Sequence, residues 1–189
     1  ADPANAQVPF GPNLCPHGAL TPPPGADLAA RDKGLPGWDF PFPGNVMLRR
    51  DVDGAYSLEY DVAAGDIAEI TGLFCYTPYI PIKPGAYYQV SFLVRTDGPK
   101  VIQFTKGYRD MEVTDIEKPQ KLRQETFKHQ VRFYGAPGEW ARLTSKPFLP
   151  RAVKGEDAPQ FLRVQLYAYW PVGKVWFKDV VVRECRARR

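Results

Sequence analysis

Alternating apolar and polar residues predict several short strands along this chain. Between residues 87 and 95 the even-numbered positions are apolar and the odd-numbered positions are mostly polar, and residues 161–170 repeat the pattern. Since successive side chains of a strand point to opposite sides of a sheet, each segment predicts a strand with one buried face. The predicted outward side chains include Tyr87, Gln89, Arg95, Arg163, Gln165, Tyr167 and Tyr169.

Further strands are predicted on both sides of these two segments. Asp53-Gly54 is a two-residue hairpin signal between two apolar runs. Residues 106–137 are highly charged and weakly periodic, which predicts a long excursion over the surface in which 127–134 has strand character. Eight to ten strands with almost no helix indicate an all-β fold, an antiparallel β-sandwich. The other predicted strand segments are 46–52, 55–62, parts of 67–82, 101–106, 140–148 and 175–182.

Composition supports this fold and limits the kinds of binding partner that we expect. The 189 residues suit one domain, and 20 prolines with 13% aromatic residues favour short strands joined by turns. The net charge of +4 owes much to arginines in the last seven residues, so nucleic acid is not expected as a partner. No apolar run reaches the roughly 18 residues of a membrane span. We expect a leader at 1–12, one domain at 13–185 that contains the excursion, and a basic tail at 186–189.

Several short motifs occur in a definite order along the chain. They are Asn13–Gly18, Pro36–Trp38, Gly54–Leu58, Lys83–Gly85 with Tyr88–Phe92, Gly138–Trp140 and Val175–Val180. Taken together, these motifs resemble the carbohydrate-binding modules of the galactose-binding-like jelly-roll group, in the families that accompany xylanases. The sequence departs from that family between residues 16 and 20, where the family's early acidic residue is not evident, and at Lys178, which replaces one of two closing acids.

The resemblance implies a jelly-roll sandwich with defined ligands. It implies a non-catalytic module that binds a glycan or polysaccharide, works in a secreted, periplasmic or cell-surface setting, and is attached to a catalytic domain in a longer parent protein. It also implies a structural calcium ion between the first and last strands, for which Asp179 is the one matching carboxylate. The remaining ligands of such an ion would be backbone carbonyls and water.

The candidate binding residues follow from the chemistry of sugars. Pyranose rings have apolar C–H faces and many hydroxyls, so a binder needs flat aromatic side chains beside planar hydrogen-bonding groups. We expect the outward side chains of 87–95 and 161–169 to form one shared concave face. The alternative is an ordinary solvated sheet face. The candidates are Tyr87, Gln89, Arg95, Gln103, Arg163, Gln165, Tyr167 and Tyr169, with Trp38 as an exposed contact or a structural plug, and Tyr108 at a rim.

Catalytic motifs are weak in this sequence. Glu59-Tyr60-Asp61 begins the Glu-x-Asp-x-x-Glu pattern of jelly-roll glucanases, but Ala64 stands where the second Glu is required. Glycosidases usually need two carboxylates across the scissile bond, so we expect no enzyme activity and read both acids as solvent-facing. The competing function is a jelly-roll adhesion or assembly module that contacts another protein and binds no sugar.

Three cysteines leave two arrangements open. Cys15 and Cys185 lie near opposite ends of the sequence, and Cys75 lies in an apolar run. If the first and last strands are neighbours, Cys15 and Cys185 could form a disulfide while Cys75 stays a buried thiol. The other arrangement is three free buried thiols.

Overall fold

The described part of the chain contains eleven β-strands, which form two antiparallel sheets. The computed structural model describes residues 4, 7–63, 72–113, 120–133, 137–151 and 157–187, so Ala64, Tyr134 and the last two arginines lie outside the described residues. The strands are β1 (Gln7–Phe10), β2 (Val46–Arg50), β3 (Tyr56–Val62), β4 (Leu73–Tyr76), β5 (Ile80–Pro81), β6 (Tyr87–Thr96), β7 (Lys100–Val113), β8 (Gln120–Phe133), β9 (Ala141–Thr144), β10 (Phe161–Tyr169) and β11 (Gly173–Ala187).

The order of the strands within each sheet differs from their order along the chain. The six-stranded sheet runs β2-β3-β11-β6-β9, with β1 paired to β11. The five-stranded sheet runs β4-β10-β7-β8, with β5 paired to β10. Except for β2-β3 and β7-β8, neighbouring strands do not follow one another in the sequence, as in Greek-key and jelly-roll sandwiches. The predicted all-β antiparallel sandwich is confirmed.

One hydrophobic core lies between the sheets. The even-numbered residues of β6 and β10 point inward, as their period of two predicts, and are almost fully buried. Tyr60 lies in the centre of this core, where its hydroxyl donates a hydrogen bond to the carbonyl of Leu166 across the sandwich at 3.1 Å. The ring of Tyr60 also packs edge-on against Phe177 of its own sheet at 5.0 Å. Among the described residues there is no helix with the length and apolar character needed to cross a membrane.

Residues 106–137 differ from the predicted surface excursion. β7 and β8 extend for 14 residues each and pair along their length, from Val101 opposite Phe133 to Val113 opposite Gln120. Among the residues that the structure describes, this hairpin carries charged side chains that weaken the period in the sequence, such as Lys106, Arg123 and Lys128. A second difference concerns the predicted leader, because Gln7–Phe10 pairs with the last strand. Arg186 and Ala187 of the predicted tail likewise belong to β11.

All three cysteines are free, buried thiols in the structure. The first and last strands are indeed neighbours, with Pro9 opposite Cys185. Cys15 and Cys185 nevertheless do not form a disulfide. Of the two arrangements that the sequence left open, the structure has the free thiols.

Candidate functional site

The two strands expected to share one binding face lie in different sheets. β6 belongs to the six-stranded sheet and β10 to the five-stranded sheet. Because both strands turn their apolar sides toward the common core, their outward side chains point away from each other. The expectation of one shared face is therefore wrong. Tyr87, Gln89 and Arg95 lie on one surface of the sandwich, and Arg163, Gln165, Tyr167 and Tyr169 lie on the opposite one.

The polar candidates on β6 already have partners. The amide of Gln89 donates to the carbonyl of Ser145 at 3.0 Å. The guanidinium of Arg95 lies between two indole rings, 4.0 Å from the centre of Trp176 and 5.3 Å from that of Trp140. Such cation–π stacking stabilises the position of Arg95 on the six-stranded sheet.

Two further candidates are buried. Gln103 is 1% exposed, on the inward side of β7, where its amide donates to the hydroxyl of Thr105 at 2.6 Å. Trp38 is 3% exposed, and its indole N–H donates to the carbonyl of Pro16 at 3.1 Å. Neither can touch a ligand on the surface, so both assignments to the binding set are wrong. Trp38 has the structural role that the sequence offered as its alternative.

A continuous aromatic surface covers the outward side of the five-stranded sheet. We call it the aromatic face. Each of its rings is partly exposed, and β10 carries the largest share of them. Its members are Phe74 and Tyr76 of β4, Phe104 and Tyr108 of β7, Phe161, Tyr167 and Tyr169 of β10, and the loop residues Phe42 and Tyr79.

The first half of the aromatic face is built around Tyr167. Its ring stacks on Tyr169 with centres 5.5 Å apart and planes 24° apart. On the neighbouring strands, Phe104 lies 6.0 Å away and Phe74 lies 6.2 Å away. Cross-strand pairing causes this grouping, because Tyr167 is opposite Phe74 in β4, while Phe104 in β7 lies two residues from the position opposite Tyr167 and so on the same side of the sheet. The rings thus support one another in fixed positions.

The second half of the face combines aromatic rings with cations. Tyr79 packs edge-on against Tyr108 at 5.1 Å, so the predicted rim position of Tyr108 is part of the face. The guanidinium of Arg163 lies 4.6 Å from the centre of Tyr76 and 4.7 Å from that of Tyr79. The guanidinium of Arg123 also lies 4.1 Å from the centre of the Tyr79 ring. Burial and the neighbouring charge of Glu125 raise the pKa of Tyr108, so its hydroxyl stays protonated and can donate a hydrogen bond.

Arg163 and Gln165 are only partly available to a ligand. The Nε of Arg163 donates to the carbonyl of Thr77 at 2.7 Å, and its terminal nitrogen lies 3.5 Å from the carboxylate of Asp39. Gln165 is 7% exposed, between Tyr76 and Phe104 in the strand register. Both residues support the aromatic rings more than they face solvent.

Sequence reasoning missed the phenylalanines of the aromatic face. An apolar side chain in an alternating strand is normally assigned to the core, and this rule would place Phe104 inside and its neighbour Gln103 outside. In the structure Phe104 points outward and Gln103 inward. The sequence feature that points to this face is the large number of aromatic residues in 74–79 and 161–169, which is more than the inward positions of these segments can hold.

The carboxylate of Asp179 does not fit the implied calcium site. It is paired with the guanidinium of Arg142 on the outward side of the six-stranded sheet. Within the described residues, no three His, Cys, Asp or Glu side chains are grouped to hold a metal ion. A calcium ion needs six to eight oxygen ligands, and an arginine beside the one matching acid opposes cation binding. Calcium therefore stays an untested expectation that these side chains do not favour.

Glu59 is engaged in an ionic network instead of facing solvent. Its carboxylate accepts hydrogen bonds from Lys174 at 2.9 Å and from the indole of Trp176 at 3.0 Å, and Arg49 lies 3.6 Å away. Burial by itself raises the pKa of Glu59, but these hydrogen bonds and the charges of Lys174 and Arg49 together lower it below the ordinary value. A general acid needs the opposite shift, so Glu59 has a structural role.

Solved structures match this fold over nearly the whole chain. A carbohydrate-binding module designated CBM4 superposes with a TM-score of 0.51 and 16% identity, over 89% of this chain and 97% of its own. This chain shares the fold of that module. A putative sugar-binding protein from Bacteroides thetaiotaomicron VPI-5482 gives a TM-score of 0.57 and 10% identity, over 92% of this chain and 100% of its own. The predicted jelly-roll β-sandwich fold is thereby confirmed.

The same fold also occurs inside larger enzymes. The enzymatically active domain of bacteriophage CBA120 tailspike protein 4 matches with a TM-score of 0.52 and 11% identity, over 91% of this chain but 21% of its own. No protein-family model and no curated protein matches the sequence. Function therefore has to be argued from the aromatic face itself.

Proposed function

We propose that this chain is a non-catalytic carbohydrate-binding module that holds a polysaccharide on the aromatic face. The observation that supports it best is the group of contacting, partly exposed rings of Phe74, Phe104, Tyr167 and Tyr169 on one sheet surface. The apolar C–H faces of sugar rings stack on such platforms, and preplaced rings lose little rotamer entropy on binding. The sugar-binding descriptions of the structural neighbours CBM4 and the Bacteroides protein agree with this function.

The remaining parts of the proposal concern the setting of the module. A polysaccharide ligand is met outside the cytoplasm, so we place the protein in a secreted, periplasmic or cell-surface location. There it would keep an attached catalytic domain close to its substrate and so raise the effective concentration of that substrate. The tailspike match agrees with such a modular arrangement, because the fold occupies a fraction of that chain.

Affinity gel electrophoresis tests the proposed function. We expect at least one polysaccharide from a broad panel to retard the wild-type protein, and Tyr167→Ala to reduce the retardation about tenfold in affinity. Tyr87→Ala is the matched control, because Tyr87 is an equally half-buried tyrosine on the opposite surface. No retardation by any polysaccharide, or equal loss in both variants, would overturn the proposal. Co-purification of a protein that Tyr167→Ala releases would instead favour the adhesion or assembly function.

A further inference from the structure

Positive charge is concentrated on the aromatic face. Its strands β7, β8 and β10 contribute more cationic than anionic side chains. Four of the cations whose side chains the structure describes have carboxylate partners: Lys106 with Glu125 at 3.0 Å, Arg123 with Asp110 at 3.0 Å, Arg163 with Asp39 at 3.5 Å, and Arg109 with Asp157. The other three described cations of these strands form no ion pair, and they are Lys100, Lys128 and Arg132.

Two of the unpaired cations flank the tyrosine stack. Lys100 and Arg132 line a small depression of about 140 Å³ together with Tyr169, Val101 and Phe133. Both cations are exposed, and the ring of Tyr169 stacks on that of Tyr167 beside them. A sugar ring placed on these tyrosines would bring a substituent within reach of two positive charges.

The third unpaired cation lies in the middle of the face. Lys128 is directly opposite Lys106 on the neighbouring strand. Glu125 neutralises Lys106, so Lys128 is the member of this like-charged pair that has no carboxylate partner among the described residues. Its ammonium lies 4.5 Å from the ring centre of Phe104, which belongs to the same aromatic group. Lys128 and Arg132 are four residues apart on β8, or about 13 Å along a strand. An extended chain of several sugar units could contact both cations, whereas one sugar unit could not.

We propose that the polysaccharide bound on the aromatic face carries uronic acid carboxylates, which are held by Lys100 and Arg132 at one end and by Lys128 near the centre. This inference rests on the proposed function and names its ligand class. The aromatic rings bind the apolar sides of the sugars, and the three cations select a chain that is negatively charged. Arg132 can hold a carboxylate through two parallel hydrogen bonds, while each lysine acts as a point charge.

The experiment compares one polymer in two chemical states. Polygalacturonate and the same polymer with its carboxylates reduced to alcohols are titrated with the protein by calorimetry, at ionic strengths from about 0.01 M to about 1 M. The variant K100Q/R132Q removes both cations at the tyrosine stack. The control R50Q/R183Q removes two exposed arginines on the opposite surface and so changes the net charge equally. Thermal melting confirms that both variants fold.

We expect the acidic polymer to bind at least tenfold more tightly than its reduced form, with the difference shrinking as salt rises. K100Q/R132Q should remove most of that difference, and R50Q/R183Q should leave it intact. Equal binding of both polymers would overturn the uronate inference and leave the proposed function standing. Tighter binding of dextran sulfate or of duplex DNA would also overturn it, since charge alone would then be recognised. If no acidic or neutral polysaccharide binds, the proposed function fails and the inference fails with it.

Discussion

Tyr167 of β10 and Phe104 of β7 face each other across the boundary between two strands, with ring centres 6.0 Å apart. This contact connects the rings of β10 with the ring of Phe104 in β7. The aromatic face therefore extends from β10 toward the β7–β8 hairpin. A ligand lying along the face would contact both rings, so their contributions to binding should not be independent.

A double-mutant cycle measures this coupling. We expect Tyr167→Ala and Phe104→Ala each to weaken polysaccharide binding, and the double variant to lose less than the sum, by about 0.5–1.5 kcal/mol, because each ring holds the other in place. Calorimetry on the four proteins gives the coupling free energy. Strictly additive losses would contradict a shared platform, and Leu93→Ala on the outward side of β6 should leave affinity unchanged.

Acid should weaken the six-stranded sheet through Glu59. The folded protein depresses the pKa of this carboxyl below its ordinary value of 4.5, so the charged form contributes stability above that pH. That contribution is lost as pH falls through the lower, folded-state pKa. We expect the difference in unfolding free energy between wild type and Glu59→Gln to be constant above pH 4.5 and to shrink below it.

Urea unfolding at a series of pH values checks the Glu59 prediction. Asp61→Asn is the control, because Asp61 is an exposed carboxylate on the same strand. A Glu59→Gln difference that stays the same down to strongly acidic pH would mean that the contacts with Lys174 and Trp176 do not depend on the charge of Glu59.

The three thiols should be unreactive in the folded protein. Burial raises the pKa of Cys15 and Cys75 to about 12 and that of Cys185 to about 11, so almost no reactive thiolate is present near neutral pH. We expect a thiol reagent to modify none of them in the native state and all three after unfolding without reductant. One reactive thiol per unfolded, unreduced chain would instead reveal a Cys15–Cys185 disulfide.

Removal of divalent metals should leave stability unchanged. The carboxylate of Asp179 is already neutralised by Arg142, on a half-exposed surface where such pairs contribute about 0–1 kcal/mol. We expect the melting temperature to be the same with and without EDTA, and Arg142→Ala to lower stability by less than about 1 kcal/mol. A drop in EDTA that calcium restores and magnesium does not would establish a calcium site despite this pairing.

Local periodicity predicted most strands because each one buries a single face. The alternation at 87–95 and 161–169 became β6 and β10 with nearly the predicted ends. Local patterns do not contain information on which strands pair. The separation of β6 and β10 into different sheets depends on long-range contacts, such as that of Arg163 opposite Lys106. For that reason one predicted face became two opposite surfaces.

Apolar character alone does not distinguish the core from the aromatic face. In β7 the inward amide of Gln103 donates a hydrogen bond to Thr105, while Phe104 points outward. The strands of this face therefore depart from the rule that places apolar residues inside. Alternation predicts Tyr167 and Tyr169 on the surface because tyrosine has a polar hydroxyl, but it does not single out the phenylalanines.

The sandwiching of Arg95 between Trp140 and Trp176 has a consequence for optical measurements. Both indoles lie on the sheet opposite the aromatic face, and Trp38 is buried. The remaining indole, Trp170, is 56% exposed in the turn after β10, next to Lys100 in the backbone hydrogen bonding. Tryptophan fluorescence should therefore respond to a ligand on the aromatic face through Trp170 alone. The emission of the other three indoles should stay unchanged and can serve as an internal reference for the quenching of Trp170.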